Sequence, residues 1–220
     1  MAAIVETLAM SVPRQWKFYF VQGLTLVRMP LIFLFLAISI FSGQPVTEFW
    51  FILAFGAMIL SAVTDLFDGY FARKFGVTSR LGGYADPMTD KVFYLTTFPA
   101  LVYLAACRGQ HAHARVLVVL AILFLLRDQW VSFLRSVGAL HDLDAKANWS
   151  GKARTVISFP TLCAVYYYLQ APAHWWLQIS KPVVYGLELL SVAINLVSIV
   201  VYTARYWPAL RAELRQTERP

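Results

Sequence analysis

Between Thr64 and Lys91 the chain runs Thr-Asp-Leu-Phe-Asp-Gly-Tyr-Phe-Ala-Arg-Lys-Phe-Gly-Val-Thr-Ser-Arg-Leu-Gly-Gly-Tyr-Ala-Asp-Pro-Met-Thr-Asp-Lys. Asp65 and Asp68 are three residues apart and share one helix face. Asp86 and Asp90 are four apart and share a face of the next helix. Gly76, Gly82 and Gly83 between the pairs allow a tight turn. The two helices are then expected to be antiparallel neighbours whose four carboxylates converge. Converging carboxylates repel, and an ionisable group at membrane depth faces a polar cavity with a partner. The natural partner is a divalent cation. An all-oxygen ligand set suits Mg²⁺ or Mn²⁺, and no Cys or His cluster invites zinc. Four carboxylates exceed what one Mg²⁺ takes from protein, which points to two ions. Such a pair clamps the attacking and leaving oxygens of a phosphoryl transfer. Gly69 and Gly82 remove side chains where a ligand can approach the backbone, and Arg73, one turn beyond Gly69, can reach a phosphate. Capping and loop carboxylates on a solvated face explain one aspartate more readily than four at helical spacing. The order of ligands does not fit the 12-residue EF-hand loop.

The surrounding composition decides what kind of helices these are. The 220 residues are 59% hydrophobic and 14% charged, about half the usual charged share. A water-soluble monomer of this size cannot hide so much apolar surface. Only 11 Gly, 10 Pro and 2 Cys argue against disordered, collagen-like and disulfide-rich classes. Six apolar stretches stand out: 24–41, 49–64, 92–107, 116–134, 156–169 and 183–202. Several fall short of the roughly 20 residues needed to cross about 30 Å. Extending the second to Ala72 and starting the third near Asp86 restores the length, and this draws the four aspartates onto membrane helices. The expected fold is all-α: one polytopic membrane domain, with an N-terminal interfacial segment over residues 1–22, a six-helix transmembrane bundle over 23–205 and a cytoplasmic tail over 206–220. The first segment mixes aromatic and basic residues, with Trp16, Phe18 and Phe20 beside Arg14 and Lys17, as in a short interfacial helix or an ordinary aromatic-belt flank.

The net charge is +7. Nucleic-acid binding would explain it, but most basic residues lie between apolar runs, which favours a positive-inside bias and no nucleic-acid partner. With both termini cytoplasmic, that side carries fifteen Lys and Arg and the other only Arg108, Arg115 and Lys181, with Arg127 inside the fourth helix. The expected location is therefore the inner (cytoplasmic) cell membrane, with the carboxylate cluster facing the cytoplasm. Glu6 and the lack of a basic residue ahead of an apolar stretch argue against a cleavable signal peptide. Cys107 and Cys163 sit in apolar context, which gives no disulfide framework.

The spacing Asp65-x2-Asp68-Gly69-x2-Ala72-Arg73-x8-Gly82-x3-Asp86-x3-Asp90 resembles, at every position, the signature of the CDP-alcohol phosphotransferases. The resemblance implies a six-helix membrane enzyme, usually a homodimer, with its site toward the cytoplasm. It implies that Asp65, Asp68 and Asp86 hold two metals on the CDP pyrophosphate. Asp90 completes the metal set and serves as general base. The nucleotide site then comprises Asp65, Asp68, Gly69, Ala72, Arg73, Arg80 and Gly82.

Acceptor choice rests on residues beyond the signature. Arg127 and Arg135 lie about two turns apart on one helix face, and Lys146, Lys152 and Arg154 follow. Together they form a candidate cationic pocket for a phosphorylated acceptor, with Asp128 placed to orient Arg127. Lys146 fits better as a positive-inside anchor. The runs Arg127-Asp128-x5-Leu134-Arg135, Trp149-Ser-Gly-Lys152-Ala-Arg154-Thr155 and Leu24-Thr25-x2-Arg28 resemble the phosphatidylglycerolphosphate synthase branch of the same family. Asp128 departs from a usual Glu, Arg154 from a Lys, and Gln22-Gly23 from an Asn. The resemblance makes Arg28, Arg127, Arg135, Lys152 and Arg154 the acceptor-binding set. It implies transfer of a phosphatidyl group from CDP-diacylglycerol to glycerol 3-phosphate. Inositol phosphate, serine or a second phospholipid are the alternative acceptors. A cation transporter is the alternative class, although its acids would be spread through the membrane depth rather than clustered at one face.

Glu188 lies in the middle of the last span, either facing a cavity with an Arg or making a helix contact. His111 and His113 form a two-ligand pair, expected in an exposed outer loop. Trp175-Trp176 and Tyr166–Tyr168 fit interfacial belts and packing.

Overall fold

The structure is a computed structural model that describes residues 12–76, 80–141 and 149–217. The side chains of residues 12–15, 18, 25, 65–66, 68–69, 72–73, 80–90 and 216–217 lie outside the description. The described residues form six α-helices and no strand: α1 (Val12–Phe41), α2 (Glu48–Phe75), α3 (Arg80–Cys107), α4 (His111–Leu140), α5 (Trp149–Gln170) and α6 (Lys181–Thr217). Each of the six apolar stretches falls inside one helix. The extension of the second stretch past Ala72 and of the third back beyond Asp86 is helical as well. Gly76, at φ +62°, ends α2, because only a residue without Cβ takes the left-handed conformation freely there.

The chain divides into two compact units, Met1–Cys107 and Arg108–Pro220. In the first, α1 packs against both α2 and α3. In the second, α6 packs against both α4 and α5. Cys107 and Cys163 are free thiols.

Three helical stretches are long and apolar enough to cross a membrane by length and composition: Tyr19–Phe41, His111–Leu140 and Lys181–Arg215. Glu48–Thr64 and Lys91–Cys107 are shorter apolar segments. Side-chain placement gives the stronger membrane argument. On α6 the exposed residues are Leu189, Leu190, Leu196, Val197 and Val200, whereas Glu188, Ser191, Asn195 and Ser198 are buried. Val200 is 67% exposed and Asn195 0%. Water would reward the opposite arrangement, while lipid rewards this one, because polar groups there need protein partners. The chain is an all-helical membrane protein.

The beginning of α1 corrects one expectation. Residues 12–41 form one continuous helix rather than an interfacial helix followed by a span. The cause is packing within the first unit. Phe67, Phe71 and Phe75 stack along α2 at i, i+4 spacing, with ring centroids 5.9 and 5.4 Å apart. Phe20 meets Phe71 at 5.5 Å, Trp16 meets Phe75 at 6.1 Å, and the Lys17 ammonium sits 5.4 Å from the Phe75 ring. These contacts hold the first turns of α1 against α2. The far end differs similarly: α6 continues as helix to Thr217, through most of the stretch read as a tail.

Candidate active site

The signature falls on two helices. Asp65, Asp68, Gly69, Ala72 and Arg73 lie in the last turns of α2, and Arg80, Gly82, Asp86 and Asp90 lie in the first turns of α3. Their side chains are outside the described set. The backbone still places the pairs at i, i+3 on α2 and i, i+4 on α3, the spacings that align side chains on one face. The donor chemistry fits a hard divalent cation: four carboxylates and no thiol or imidazole. Among the described residues, no group of three or more His, Cys, Asp or Glu offers an alternative metal site.

Arg28, from the acceptor set, is buried on α1 at 2% exposure. The other members lie in the second unit, where three of them enter one network. Arg127 is buried on α4. Its Nε and Nη2 donate to Ser198 Oγ at 3.0 and 2.6 Å, and its Nη1 donates to Asp128 Oδ1 at 2.9 Å. Arg154, buried on α5, donates from Nη2 to Asp128 Oδ2 at 3.0 Å and from Nε to Asn195 Oδ1 at 3.2 Å. Its guanidinium also lies over the Phe124 ring, 4.6 Å from the centroid. Asp128 thus bridges two arginines, one on each oxygen, as its position beside Arg127 led us to expect for the first.

Arg135, two turns below Arg127, donates from Nη2 to the Tyr202 hydroxyl at 3.0 Å. The Arg127 and Arg135 guanidinium carbons stand 5.3 and 5.4 Å from the Tyr202 ring centroid. The Arg135 Nε is buried with no hydrogen-bond partner among the described residues. Gly151 makes room for this packing, since a Cβ there would lie 2.9 Å from the Tyr202 hydroxyl. Lys152 is exposed on α5, and Lys146 lies outside the described residues. Three guanidinium groups against one carboxylate leave a net charge of +2 in this seam. A phosphate monoester dianion matches that charge, and guanidinium forks match its geometry.

The polar residues of α6 that hold the arginines are absent from the sequence-derived site. Ser191, Asn195, Ser198 and Tyr202 recur at spacings of four, three and four, which is one helix face, within an apolar run. That periodicity was the available signal.

One other expectation changes, and one open choice, for Glu188, falls to its helix-contact alternative. His113 is not in an exposed loop, because α4 begins at His111 and His113 is 1% exposed. Its Nε2 lies 2.7 Å from Glu188 Oε1, its Nδ1 lies 3.3 Å from Gln110 Oε1, and its ring packs on Tyr185 and Tyr168. Glu188 therefore makes a helix-to-helix contact with a histidine, not an ion pair with an arginine.

Residues 20–207 match the CDP-alcohol phosphatidyltransferase family model, and the chain belongs to that family. It is a family of transferases that generally depend on divalent metal ions. Among individual relatives, the chain is similar to the CDP-diacylglycerol–glycerol-3-phosphate 3-phosphatidyltransferase of Blochmanniella floridana, with 31% identity over 110 residues, 48% of this chain and 53% of that protein. The enzyme of the same name from Haemophilus influenzae is 33% identical over 98 residues, 44% of this chain and 49% of its own length. A chloroplastic relative from Oryza sativa subsp. japonica is 44% identical over 50 residues, 23% of this chain and 15% of its own. The chain spans about half the length of the bacterial relatives it matches.

Proposed function

We propose that this protein transfers a phosphatidyl group from CDP-diacylglycerol to glycerol 3-phosphate, giving phosphatidylglycerol phosphate and CMP. The observation that carries the choice of acceptor is the buried Arg127–Asp128–Arg154 network with Arg135 beside it. A site for a neutral or zwitterionic alcohol such as serine has no use for a net charge of +2 at this depth. The names of the bacterial relatives point to the same acceptor.

In this reading Asp90 accepts the proton of the acceptor hydroxyl. The acceptor oxygen bonds to the phosphorus bearing the diacylglycerol, the bond from that phosphorus to the CMP oxygen breaks, and CMP leaves with the electron pair. Asp65, Asp68, Asp86 and Asp90 are the residues that would hold Mg²⁺ or Mn²⁺, and two such ions, when bound, neutralise charge on the pyrophosphate. Gly69, Ala72, Arg73, Arg80 and Gly82 line the nucleotide site. Arg127, Arg135, Lys152 and Arg154 bind the acceptor phosphate.

All six helices span the membrane in this proposal. The ends of α2 and α3 that carry the aspartates lie at the cytoplasmic surface, as do both termini. The fifteen-to-three distribution of basic residues supports that orientation. The donor's acyl chains then stay in lipid while its headgroup enters the polar site. A homodimer in the inner membrane completes the reading, on the strength of the family resemblance.

The test is a panel of radiolabelled alcohols offered to the purified protein with CDP-diacylglycerol and Mg²⁺ or Mn²⁺, with chelation as control. Release of CMP with glycerol 3-phosphate, abolished by EDTA and restored by either ion, is the expected result. Preferential turnover of serine or inositol phosphate would overturn the acceptor assignment.

A further inference from the structure

We propose that Asp128, Asn195 and Ser198 are positioning residues, which fix Arg127 and Arg154 as a rigid pair and thereby set the preference for a phosphate-bearing acceptor. The inference rests on the reading of the arginine cluster as the acceptor site.

Each arginine is tied at two points, once to α6 and once to the same carboxylate. Ser198 Oγ takes the side-on fork of Arg127, both Nε and Nη2, at 3.0 and 2.6 Å. Asn195 Oδ1 takes Nε of Arg154 at 3.2 Å. The Asn195 amide is itself oriented, because its Nδ2 donates to the Ser191 carbonyl at 2.7 Å and so turns Oδ1 toward Arg154. Ser191 in turn is 3.2 Å from Ser158 on α5, which ties the α6 stripe to the helix that carries Arg154. Asn195 and Ser198 are fully buried.

The need for such bracing is electrostatic and entropic. Two guanidinium groups in a seam of low dielectric repel, and each side chain carries about 2 kcal/mol of rotamer entropy. Unbraced, they would spread and meet a ligand phosphate one at a time. Asp128 removes the repulsion between them without cancelling their charge, since one carboxylate serves two cations. Three of the five Arg127 N–H groups are committed to Ser198 and Asp128. That leaves donors whose direction is already set before the ligand arrives. A shift of about 1 Å in such groups can cost about 10²-fold.

The experiment compares KM for glycerol 3-phosphate with KM for CDP-diacylglycerol in Ser198→Ala, Ser198→Thr, Asn195→Ala, Asp128→Asn and Arg127→Ala. Ser198→Ala and Asn195→Ala are expected to raise the acceptor KM by about 10–100-fold. The donor KM should stay within about twofold, and Ser198→Thr, which keeps the hydroxyl, should recover most of the loss. Asp128→Asn keeps the size, removes the charge and should behave like the alanine variants. Donor and acceptor KM rising together in Ser198→Ala, or no recovery in Ser198→Thr, would overturn the positioning role. If Ser198→Ala does not fold, Asn195→Ala tests the same claim through Arg154. If Arg127→Ala raises the acceptor KM alone while Ser198→Ala and Asn195→Ala leave it unchanged, positioning fails and the acceptor site stands. If Arg127→Ala leaves both KM values unchanged or moves them equally, the acceptor reading itself fails.

Discussion

In the first unit, α1 packs against α2 and α3, and these helices bury Ile32, Phe35, Phe51, Ala54, Met58, Leu101 and Leu104, with Arg28, Ser61, Thr64 and Thr97 as buried polar residues among them. In the second, α6 occupies the same topological place against α4 and α5, but beside Val184, Ile194 and Tyr206 it buries Glu188, Ser191, Asn195, Ser198 and Tyr202. Between helices in lipid there is no hydrophobic driving force, so the first arrangement relies more on close packing and the second more on hydrogen bonds. The two fail differently. An apolar seam loses stability in proportion to the volume removed, whereas a polar seam loses most when one partner goes and the other is left buried. The signature carboxylates stand on helices of the first unit, and Arg127, Arg135 and Arg154 stand in the hydrogen-bonded seam of the second.

The largest expected effect is in the first unit and leaves its packing alone. Asp90→Asn should lower turnover by about 10²–10⁴-fold, the usual contribution of a general base, while CDP binding stays measurable by calorimetry. Near-normal turnover would remove Asp90 from the base role. The second unit should show its largest effect in stability. His113→Leu leaves the Glu188 carboxylate buried without its 2.7 Å partner. Leaving one partner of a buried polar pair unsatisfied costs about 1–3 kcal/mol, but replacing both members with apolar residues of similar shape is often nearly neutral. Thermal unfolding in detergent should therefore show His113→Leu well below the wild type and His113→Leu/Glu188→Leu close to it. Equal losses in the single and double variants would mean that the pair is not coupled.

That pair also marks the limit of what the sequence makes legible. The six helices could be read because apolar runs and their length are local properties. The aspartates stood out because i, i+3 and i, i+4 spacing is local as well, and the resemblance implied roles for them. Glu188 stood out as costly, but its partner is 75 residues away and sat beside a turn that resembled an exposed loop. Asn195 and Ser198 went unread for a related reason. Serine and asparagine barely dent the hydropathy of an apolar run, and the arginines they hold lie 41 and 71 residues upstream. The start of α1 was misplaced because the aromatic stripe that extends it is on another helix.

A smaller effect tests how tightly the second unit is packed around its arginines. A Cβ at Gly138 on α4 would collide with the Tyr206 ring, and Tyr206 stacks on Tyr202 with centroids 6.5 Å apart and planes within 7°. Overpacking of this kind costs about 1–3 kcal/mol. Gly138→Ala should lower the unfolding temperature despite alanine's better helix propensity, and it should also disturb Arg135 through Tyr202. An unchanged melting temperature would mean that the tyrosine ladder yields freely.

The smallest expected effect separates hydrogen bonds within the buried seam from those at its edge. Trp130 Nε1 donates to Thr203 Oγ1 at 2.8 Å, also between α4 and α6, but Trp130 is 38% exposed. Interhelical hydrogen bonds in membranes average about 0.6 kcal/mol, because the separated helices find other partners. Trp130→Phe keeps the ring and removes the donor, so its cost should stay near that average and both KM values should hold. Thr203 keeps an outlet of its own in the Ile199 carbonyl, 2.8 Å away. A loss as large as that of His113→Leu would show that the edge of the seam is as demanding as its centre. The contrast between the two units would then lie in helix polarity alone, not in which partners are left buried.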